Sequence, residues 1–324
     1  MKLASLNNGS PDGRLHIVSR DLTRATAAPG VDTLQQLLES WDALAPALVA
    51  IYDKLNAGLV IDAIAFDPAQ AMAPLPRAWQ WLDGSAFDSH GDLMDKVFGM
   101  TKEKTGRPLM YQGVSDRFLG PQETSFFPSE GDDIDFEGEF GIITDQVPLG
   151  ISADAAIGHI RLLVQINDWS LRRLAPIEMK TGFGWIQAKP PCAMAPVAVT
   201  PDELGNNWRD GRVDLNLVVH WNGKQFGAAN GYAMSCGFQD LVAHAAYSRS
   251  LVAGTVIGSG TVSNSNYREI GSSCIAERRG IEMIDEGAPK TAFMRFGDTV
   301  RMETCLPDGQ ALFGAIEQQV AQTP

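Results

Sequence analysis

Cysteine is scarce in this chain, and its spacing argues against the simplest cysteine-based sites. The four cysteines among 324 residues include no C-x-x-C pair, so a zinc or iron–sulfur site built from them alone is not expected. Isolated thiols of this kind are typical of reduced, buried cysteines in cytosolic proteins. No apolar run approaches the roughly 18 residues that a membrane helix needs, and the first residues lack the apolar segment of a signal peptide. The sequence therefore predicts a cytoplasmic protein.

Basic residues are few relative to acidic ones. Lys and Arg total 26 against 39 Asp and Glu, which gives a net charge of −13. Nucleic acids and anionic membranes bind basic surfaces, so neither is an expected partner. The remaining composition, 44% apolar and 20% charged, is that of a folded protein with a sizeable core.

The first 60 residues combine strand and helix patterns. Alternating apolar residues on both sides of the turn-rich segment 7–13 predict a hairpin. Residues 32–56 carry apolar side chains at helical spacing, with Asp32 as the expected N-cap. Proline cannot donate the backbone hydrogen bond of a helix interior, so Pro46 is expected to divide this segment into two helices.

Composition changes twice in the rest of the chain. Three prolines between 66 and 80 predict a linker, which divides a small N-terminal α/β domain at 1–75 from a larger domain at 76–324. From about residue 108 strand patterns dominate, so the fold class is α+β and mostly β. The further predicted elements are a helix over 91–105, a hairpin with Asn222-Gly223 at its turn, a helix over 238–251, a strand over 252–260 and a strand pair over 293–303.

An acidic stretch from Asp132 to Glu139 holds five carboxylates in eight residues. Asp135, Glu137 and Glu139 alternate with Phe136 and Gly138, and residues i, i+2 and i+4 of a strand share one face. Neighbouring carboxylates on that face would lie about 7 Å apart and would repel one another unless a cation neutralised them. Two interpretations stay open: an oxygen-ligand site for a divalent metal ion, or a solvated acidic edge.

Four further features carry possible chemistry. Asp168 stands between an apolar strand and Trp169, where it either binds something or caps the next segment. His90 follows Asp83 by seven residues and could act as a general base near a metal, although an isolated histidine is more often structural. Lys189 either holds an anion or enolate or is a loop cation. The segment 258–261 could bind an anion through its backbone, but it lacks the Gly-Lys-Ser/Thr ending of a P-loop.

The order of these motifs resembles that of the fumarylacetoacetate hydrolase family. Glu137-Gly-Glu139 comes first, Asn167-Asp-Trp-Ser170 follows about 30 residues later, then Lys189, and Gly260-Thr261 closes a late strand. The resemblance covers roughly residues 75–315. It implies a mixed β-sandwich roll as catalytic domain, a small N-terminal domain and a homodimer.

The resemblance also implies roles for individual residues. A divalent ion, Mg²⁺ or alternatively Mn²⁺ or Ca²⁺, would be held by four carboxylates: Asp83, Glu137, Glu139 and Asp168. The implied catalytic residues are His90 as base, Glu277 as its assistant and Lys189 as a positive charge for an enolate. The implied substrate contacts are Tyr111, Arg172 and Thr261, and Arg172 could instead clamp Asp168 or the strand.

The chain departs from the family pattern at the substrate side. A tyrosine, a glutamine and a second tyrosine that the family places near the substrate are replaced by Ser85, Ala175 and Met179, and Glu277 lies two positions from its expected place. The contacts to the substrate carboxylate are therefore expected to differ from those to fumarylacetoacetate.

The predicted function is metal-dependent hydrolysis of a carbon–carbon bond in a β-diketo acid or acylpyruvate. A rival of the same family is decarboxylation, isomerisation or hydration of a 2-oxo acid, and a rival of another class is a non-catalytic protein stabilised by metal.

Overall fold

Two β-sheets packed face to face form the body of the molecule. The computed structural model describes residues 1–98 and 106–324. Its strands are numbered in chain order: β1 Lys2–Leu6, β2 Arg14–Val18, β3 Arg24–Ala27, β4 Ile64–Ala65, β5 Gln80–Gly84, β6 Met110–Gly113, β7 Ser125–Phe127, β8 Ile134–Asp135, β9 Gly138–Thr144, β10 Ile160–Asn167, β11 Ser170–Leu171, β12 Ala193–Met194, β13 Ala198–Val199, β14 Trp208–Arg209, β15 Arg212–Val213, β16 Asn216–Trp221, β17 Lys224–Asn230, β18 Thr255–Gly258, β19 Thr299–Glu303 and β20 Ile316–Gln322.

Helices are short and lie between or beside the strands. The α-helices of the described ranges are α1 Leu34–Glu39, α2 Trp41–Asn56, α3 Asp88–Phe98, α4 Ala153–Ala156, α5 Ala175–Met179, α6 Phe238–Ala245, α7 Tyr267–Ile270 and α8 Ile275–Glu286. Short 3₁₀ segments occur at Pro68–Gln70, Glu130–Asp132, Ile157–His159, Pro201–Asn207 and Gly231–Ala233. Within 1–98 and 106–324 no helix is long and apolar enough to cross a membrane.

The larger sheet joins the N-terminal strands to the rest of the chain. Its strand order is β4-β3-β2-β1-β13-β10-β9-β18-β5-β6, with β12 paired to β10, and its neighbours are antiparallel except for β18 and β5. Strand β1 pairs with β13 at Lys2–Val199 and Leu3–Ala198. The smaller sheet has the order β17-β16-β19-β20-β7. The division into domains at residue 75 stays a prediction.

The core lies on both faces of the larger sheet. On one face Phe140 and Ile142 of β9 pack in one cluster with Leu217 and Val219 of the smaller sheet. On the other face Ile143 belongs to a second cluster that contains the apolar sides of α1 and α2. Successive residues of a strand point to opposite faces, so β9 serves both clusters. This agrees with the mixed α+β sandwich that the family resemblance implies.

The structure corrects the prediction for residues 32–56. The helix break lies at Ser40, and α2 runs through Pro46 without interruption. Pro46 is in the second turn of α2, where its missing N–H costs one intrahelical hydrogen bond. The N-cap of α1 is Thr33, not Asp32, because the Thr33 side chain accepts from the Gln36 N–H at 3.2 Å.

Later elements confirm the hairpin predictions and correct the tail. Strands β1 and β2 pair as expected, and β16 and β17 meet at Asn222-Gly223, where both residues have positive φ. The predicted strand pair over 293–303 is wrong, since β19 pairs with β16 and β20 instead. The predicted helix over 91–105 is confirmed as far as Phe98, the last described residue of α3, and residues 99–105 lie outside the described part of the chain.

Candidate metal centre and active site

Three carboxylates from different strands meet inside the larger sheet. Asp83 lies in β5, Glu139 in β9, and Asp168 directly follows β10. Strands β9 and β10 are paired so that Glu139 stands opposite Ile166, two residues before Asp168. One oxygen from each of the three carboxylates lies within 4.8 Å of the others, and all three residues are buried. We call Asp83, Glu139 and Asp168 the acidic triad.

Strand β18 makes room for the triad by carrying a glycine between β9 and β5. A Cβ atom at Gly258 would lie 2.4 Å from Asp83 Oδ1 and 3.0 Å from Glu139 Oε2. Such approaches are closer than van der Waals contact, so any larger residue would displace the carboxylates. The glycine run that the sequence suggested as an anion site therefore serves the carboxylates themselves.

The electrostatics of the triad favour a bound cation. Burial raises the pKa of Glu139 well above its usual range, and the nearby Asp83 and Asp168 carboxylates raise it further. The pKa of Asp83 is also raised, first by burial and then by Asp168. Within the described chain both Glu139 oxygens are buried without a hydrogen-bond partner. Buried, unpartnered oxygen atoms suit a hard divalent ion such as Mg²⁺, Mn²⁺ or Ca²⁺, so the residues fit the implied metal.

Asp168 is the best-supported member of the triad. Its Oδ2 accepts from Tyr111 Oη and from Lys189 Nζ, each at 2.6 Å, and its Oδ1 accepts from Cys192 Sγ at 2.9 Å. Burial and the adjacent Asp168 raise the pKa of Tyr111 and of Cys192, so both side chains stay protonated donors. Asp168 is therefore fixed by its partners, and capping the next segment is not its role.

Glu137 lies beside the triad but faces cations of the protein. Its carboxylate is bound by Lys189 Nζ at 2.7 Å and by Arg172 Nη2 at 3.0 Å, and it accepts from the hydroxyls of Ser170 and Thr261. Burial would raise the pKa of Glu137, but Arg172 and Lys189 outweigh burial and hold that pKa below its ordinary value. The metal-ligand role of Glu137 stays a prediction.

The acidic stretch divides into parts with different partners. Strand β8 ends at Asp135 and β9 begins at Gly138, so the stretch is not one continuous strand. Asp135 is fully buried and accepts from the N–H groups of Ile275 and Ala276 at the start of α8. Since Asp135, Glu137 and Glu139 are all buried, the solvated-edge interpretation is wrong for them.

Arg172 is held by two of these acids. Its Nε donates to Asp135 Oδ2 at 2.8 Å, and its Nη2 pairs with Glu137. Of the two roles considered for Arg172, these contacts favour the structural clamp. Asp132 is also engaged, by Arg173.

His90 and Glu277 come together from two helices. His90 lies in the first turn of α3 and Glu277 in the first turn of α8, and His90 Nδ1 is 3.7 Å from Glu277 Oε1. Glu277 is fully buried, whereas the His90 side chain is 17% exposed and therefore reachable by water. Ser263 donates to Glu277 and accepts from Ser89 at 2.9 Å. The two-position offset of Glu277 in the sequence does not prevent this pairing.

The loop after β18 connects all three groups of acids. The Gly260 N–H donates to Asp83 Oδ1 at 3.1 Å, Thr261 Oγ1 donates to Glu137, and Ser263 Oγ donates to Glu277. Gly260 has a φ of +80°, and a Cβ there would lie 2.4 Å from the Gly84 carbonyl. Sequence reasoning found Thr261 but missed Ser263, although the run Ser259-Gly-Thr-Val-Ser263 is rich in hydroxyls.

Lys189 sits at the boundary between the triad and Glu137. Burial would lower the pKa of Lys189, but Asp168 and Glu137 outweigh burial, so the ammonium stays charged. Its Nζ lies 5.4 Å from the Tyr111 ring centroid and 5.5 Å from that of Trp185, and these two rings stack at 5.5 Å. Trp185, like Ser170 and Cys192, was not predicted as a site residue. A buried lysine between carboxylates is not a loop cation.

The fold and site together define a protein class: a mixed β-sandwich with a buried carboxylate triad that fits a divalent ion and a histidine–carboxylate pair linked to it by the loop after β18. The chain belongs to the fumarylacetoacetate hydrolase family. The family's fumarylacetoacetate hydrolase C-terminal domain matches residues 80–321, and the fumarylacetoacetase N-terminal domain 2 matches residues 1–77. The resemblance inferred from the motifs is thereby confirmed.

Known relatives and structures cover several activities. The oxaloacetate tautomerase Fahd2a, mitochondrial, of Rattus norvegicus is 22% identical over 157 residues, which are 48% of each chain, so the chain spans about half the length of the curated relatives it matches. A maleylpyruvate hydrolase from Sphingobium sp. SYK-6, in complex with manganese(II) and pyruvate, superposes over 100% of both chains with TM-score 0.67 and 16% identity. A 5-carboxymethyl-2-hydroxymuconate delta-isomerase from Mycobacterium smegmatis does so with TM-score 0.63 and 16% identity. At these identities the structures show a shared fold.

Proposed function

We propose that the protein is a divalent-metal-dependent hydrolase that cleaves a carbon–carbon bond in a β-diketo acid or acylpyruvate. The observation that carries this proposal is the pairing of His90 with the buried Glu277 at 3.7 Å. Hydrolysis needs a base that takes a proton from water, and a partly exposed imidazole beside a buried carboxylate suits that task. A non-catalytic protein stabilised by metal has no need of such a pair.

The acidic triad would hold the ion, with Glu137 as the proposed fourth ligand. Mg²⁺ is the proposed ion and Mn²⁺ or Ca²⁺ the alternatives; the manganese complex of the structurally similar maleylpyruvate hydrolase supports a divalent ion in this fold. When bound, such an ion supplies Lewis-acid polarisation of a carbonyl oxygen. Asp83, Glu139 and Asp168 supply the negative charge and oxygen atoms that it requires.

Side chains of the protein would then carry out the proton transfers of the reaction. His90 takes a proton from water, and the hydroxide adds to the carbonyl carbon of the substrate. Glu277 would assist the imidazole from 3.7 Å, while Ser263 holds Glu277 in place. The bond to the neighbouring carbon breaks, and its electron pair leaves as an enolate. The enolate carbon then takes the proton back from His90.

Lys189 and Tyr111 would stabilise the negative charge that develops on oxygen. The Lys189 ammonium stays charged and the Tyr111 phenol stays protonated in their buried positions, so both are donors. Thr261 and Arg172 remain proposed substrate contacts, although in the structure both contact Glu137.

A tautomerase, isomerase, hydratase or decarboxylase acting on a 2-oxo acid is the second candidate. The names of the rat relative and of the Mycobacterium smegmatis isomerase favour it. Decarboxylation requires no water-activating base, so hydrolysis and decarboxylation differ in their need for His90.

A panel of acylpyruvates and oxaloacetate, assayed with Mg²⁺ and Mn²⁺, tests the proposal. In His90→Ala, acylpyruvate hydrolysis should fall by about 10³-fold, since a positioned general base is worth roughly 10² to 10⁴, while oxaloacetate decarboxylation should persist. Undiminished acylpyruvate cleavage in this variant would show that the hydrolase assignment is wrong. Turnover of oxaloacetate without turnover of any acylpyruvate would favour the second candidate. No turnover of either substrate class would favour a binding protein.

The proposal includes three broader features of the protein. We propose a homodimer, a cytoplasmic location and domains at 1–75 and 76–324. All four cysteines are free, which fits a reducing compartment. The rat relative is named as mitochondrial, so fractionation of cells that express the full protein would test the location.

A further inference from the structure

A surface loop beside the site exposes large apolar side chains at unusual density. We call residues 177–187 the apolar loop. Its Phe183 and Ile186 side chains are 99% and 84% exposed, and Ile177 and Met179 are also exposed. Scattered exposed apolar residues need no explanation, but a group of four within ten residues is typical of a contact surface.

The apolar loop is ordered at its base. The Glu178 carboxylate accepts from three backbone N–H groups in succession, those of Ile186 at 3.0 Å, Gln187 at 2.9 Å and Ala188 at 3.0 Å. Gly182 and Gly184 both adopt positive φ, which side-chain-bearing residues rarely do, and so let the chain turn back on itself. The exposed side chains are thus presented by a closed loop.

The apolar loop is continuous with the active site through Trp185. The Trp185 ring stacks on Tyr111 with centroids 5.5 Å apart, and Tyr111 in turn donates to Asp168 of the acidic triad. Phe183 and Ile186 lie two residues before and one residue after Trp185. Trp185 therefore lies close to the triad, and the exposed residues of the apolar loop flank it in the chain.

Two basic residues close to the triad and Glu137 already have carboxylate partners. Lys189 binds Glu137 and Asp168, and Arg172 binds Asp135 and Glu137. Lys180 is the single basic residue in the sequence of the apolar loop, against four exposed apolar ones. The apolar loop itself thus presents more exposed apolar residues than basic ones.

We propose that the apolar loop binds an uncharged, apolar substituent at the distal end of the substrate. The preferred substrates would be acylpyruvates that end in an alkyl or aryl group, in preference to those that end in a second carboxylate. This inference rests on the proposed function, which supplies the 2-oxo acid end. It makes Phe183, Trp185 and Ile186 specificity residues.

The test compares a Phe183→Ser/Ile186→Ser double variant with the wild type on two acylpyruvates. Both side chains are almost fully exposed, so the double variant should fold normally. Its kcat/KM for benzoylpyruvate should fall about tenfold, because removing apolar contacts from a substrate costs roughly 10- to 200-fold. Its kcat/KM for maleylpyruvate, which ends in a carboxylate, should change less than about twofold. Ile61→Ser, a change at a 98% exposed isoleucine far along the chain, is the matched control and should behave as the wild type.

Calorimetric binding of phenylpyruvate to the manganese-loaded protein adds a measurement that needs no turnover. A roughly tenfold weaker affinity in the double variant supports the inference even if the wild type hydrolyses nothing, in which case only the proposed function fails. Equal affinity and equal kcat/KM ratios in both proteins overturn the inference. A selective loss of maleylpyruvate turnover in Lys180→Ala would also overturn the inference, because it would show that the loop binds a carboxylate. A change in oligomeric state with unchanged kinetics would assign the loop to a subunit contact instead.

Discussion

Glu137 and Glu139 are two residues apart, yet their electrostatic environments are opposite. Glu137 is surrounded by Lys189, Arg172 and two hydroxyls, which hold its pKa below the ordinary value. Glu139 faces Asp83 and Asp168 without a hydrogen-bond partner among the described residues, and burial raises its pKa. Desolvation is similar for both glutamates, so the nearby charges make the difference. The comparison shows which side of the site already contains its cations and which side requires one.

Metal affinity should separate the two glutamates most strongly. Glu139→Gln removes a negative charge from the triad, so the affinity for Mn²⁺ should fall by more than about 100-fold, since even outer-shell partners are worth 10- to 100-fold. Glu137→Gln should weaken affinity less if Lys189 and Arg172 neutralise Glu137 in the loaded protein. Calorimetric titration measures both, and Asp133→Asn, outside the triad, serves as control. Equal losses for the two glutamates would show that Glu137 is an equivalent ligand.

Removing the Lys189 ammonium, which neutralises Glu137, should lower the free energy of unfolding. Lys189→Met leaves Glu137 and Asp168 buried with one ammonium fewer, and breaking a buried ion pair costs about 3–5 kcal/mol. Urea unfolding of the metal-free protein measures this loss in free energy of unfolding. Saturating Mn²⁺ should restore part of it, because the ion replaces some of the lost positive charge. A variant as stable as the wild type would contradict the electrostatic account of Lys189.

A smaller loss is expected from filling the space between the triad carboxylates. Gly258→Ala places a Cβ 2.4 Å from Asp83 Oδ1, and overpacking of this kind costs about 1–3 kcal/mol. The same change should weaken Mn²⁺ binding, because the carboxylates must move apart. Gly158→Ala, at a glycine with open space around it and without a positive φ, controls for loss of glycine flexibility. Unchanged metal binding in Gly258→Ala would show that the triad tolerates displacement.

The pH dependence of stability should have opposite signs for the two glutamates. Glu139 holds its proton to higher pH when folded, so in the metal-free protein its contribution is lost as pH rises above the ordinary carboxyl pKa near 4. Glu137 ionises at lower pH when folded, so its contribution is present above about pH 4 and is lost as pH falls. Glu139→Gln should remove the loss of stability as pH rises, and Glu137→Gln should remove the loss as pH falls. Each variant should change the free energy of unfolding by on the order of 1 kcal/mol. Unfolding curves between about pH 2 and about pH 8 would show both trends, and trends of the same sign would contradict this account.

Much of the architecture was predictable from local patterns. The hairpin turn at Asn222-Gly223 and the helix pattern over 32–56 need only neighbouring residues, and both occur. Local reasoning failed where context competes with propensity: Pro46 is accommodated within α2, and β19 finds its partners in distant strands. A residue's partner in a sheet depends on topology, which the local pattern does not contain.

The sequence by itself determined the chemistry that is available. The spacing of Glu137, Glu139, Asp168 and Lys189 indicates a family, and the family models confirm it. The tertiary structure decided which of these carboxylates face one another and which one faces a lysine. Only the pairing of β9, β10, β18 and β5 brings three carboxylates within 4.8 Å of one another and turns Glu137 towards Lys189. Coulomb interactions depend on distance and burial, and neither quantity exists until the strands have packed.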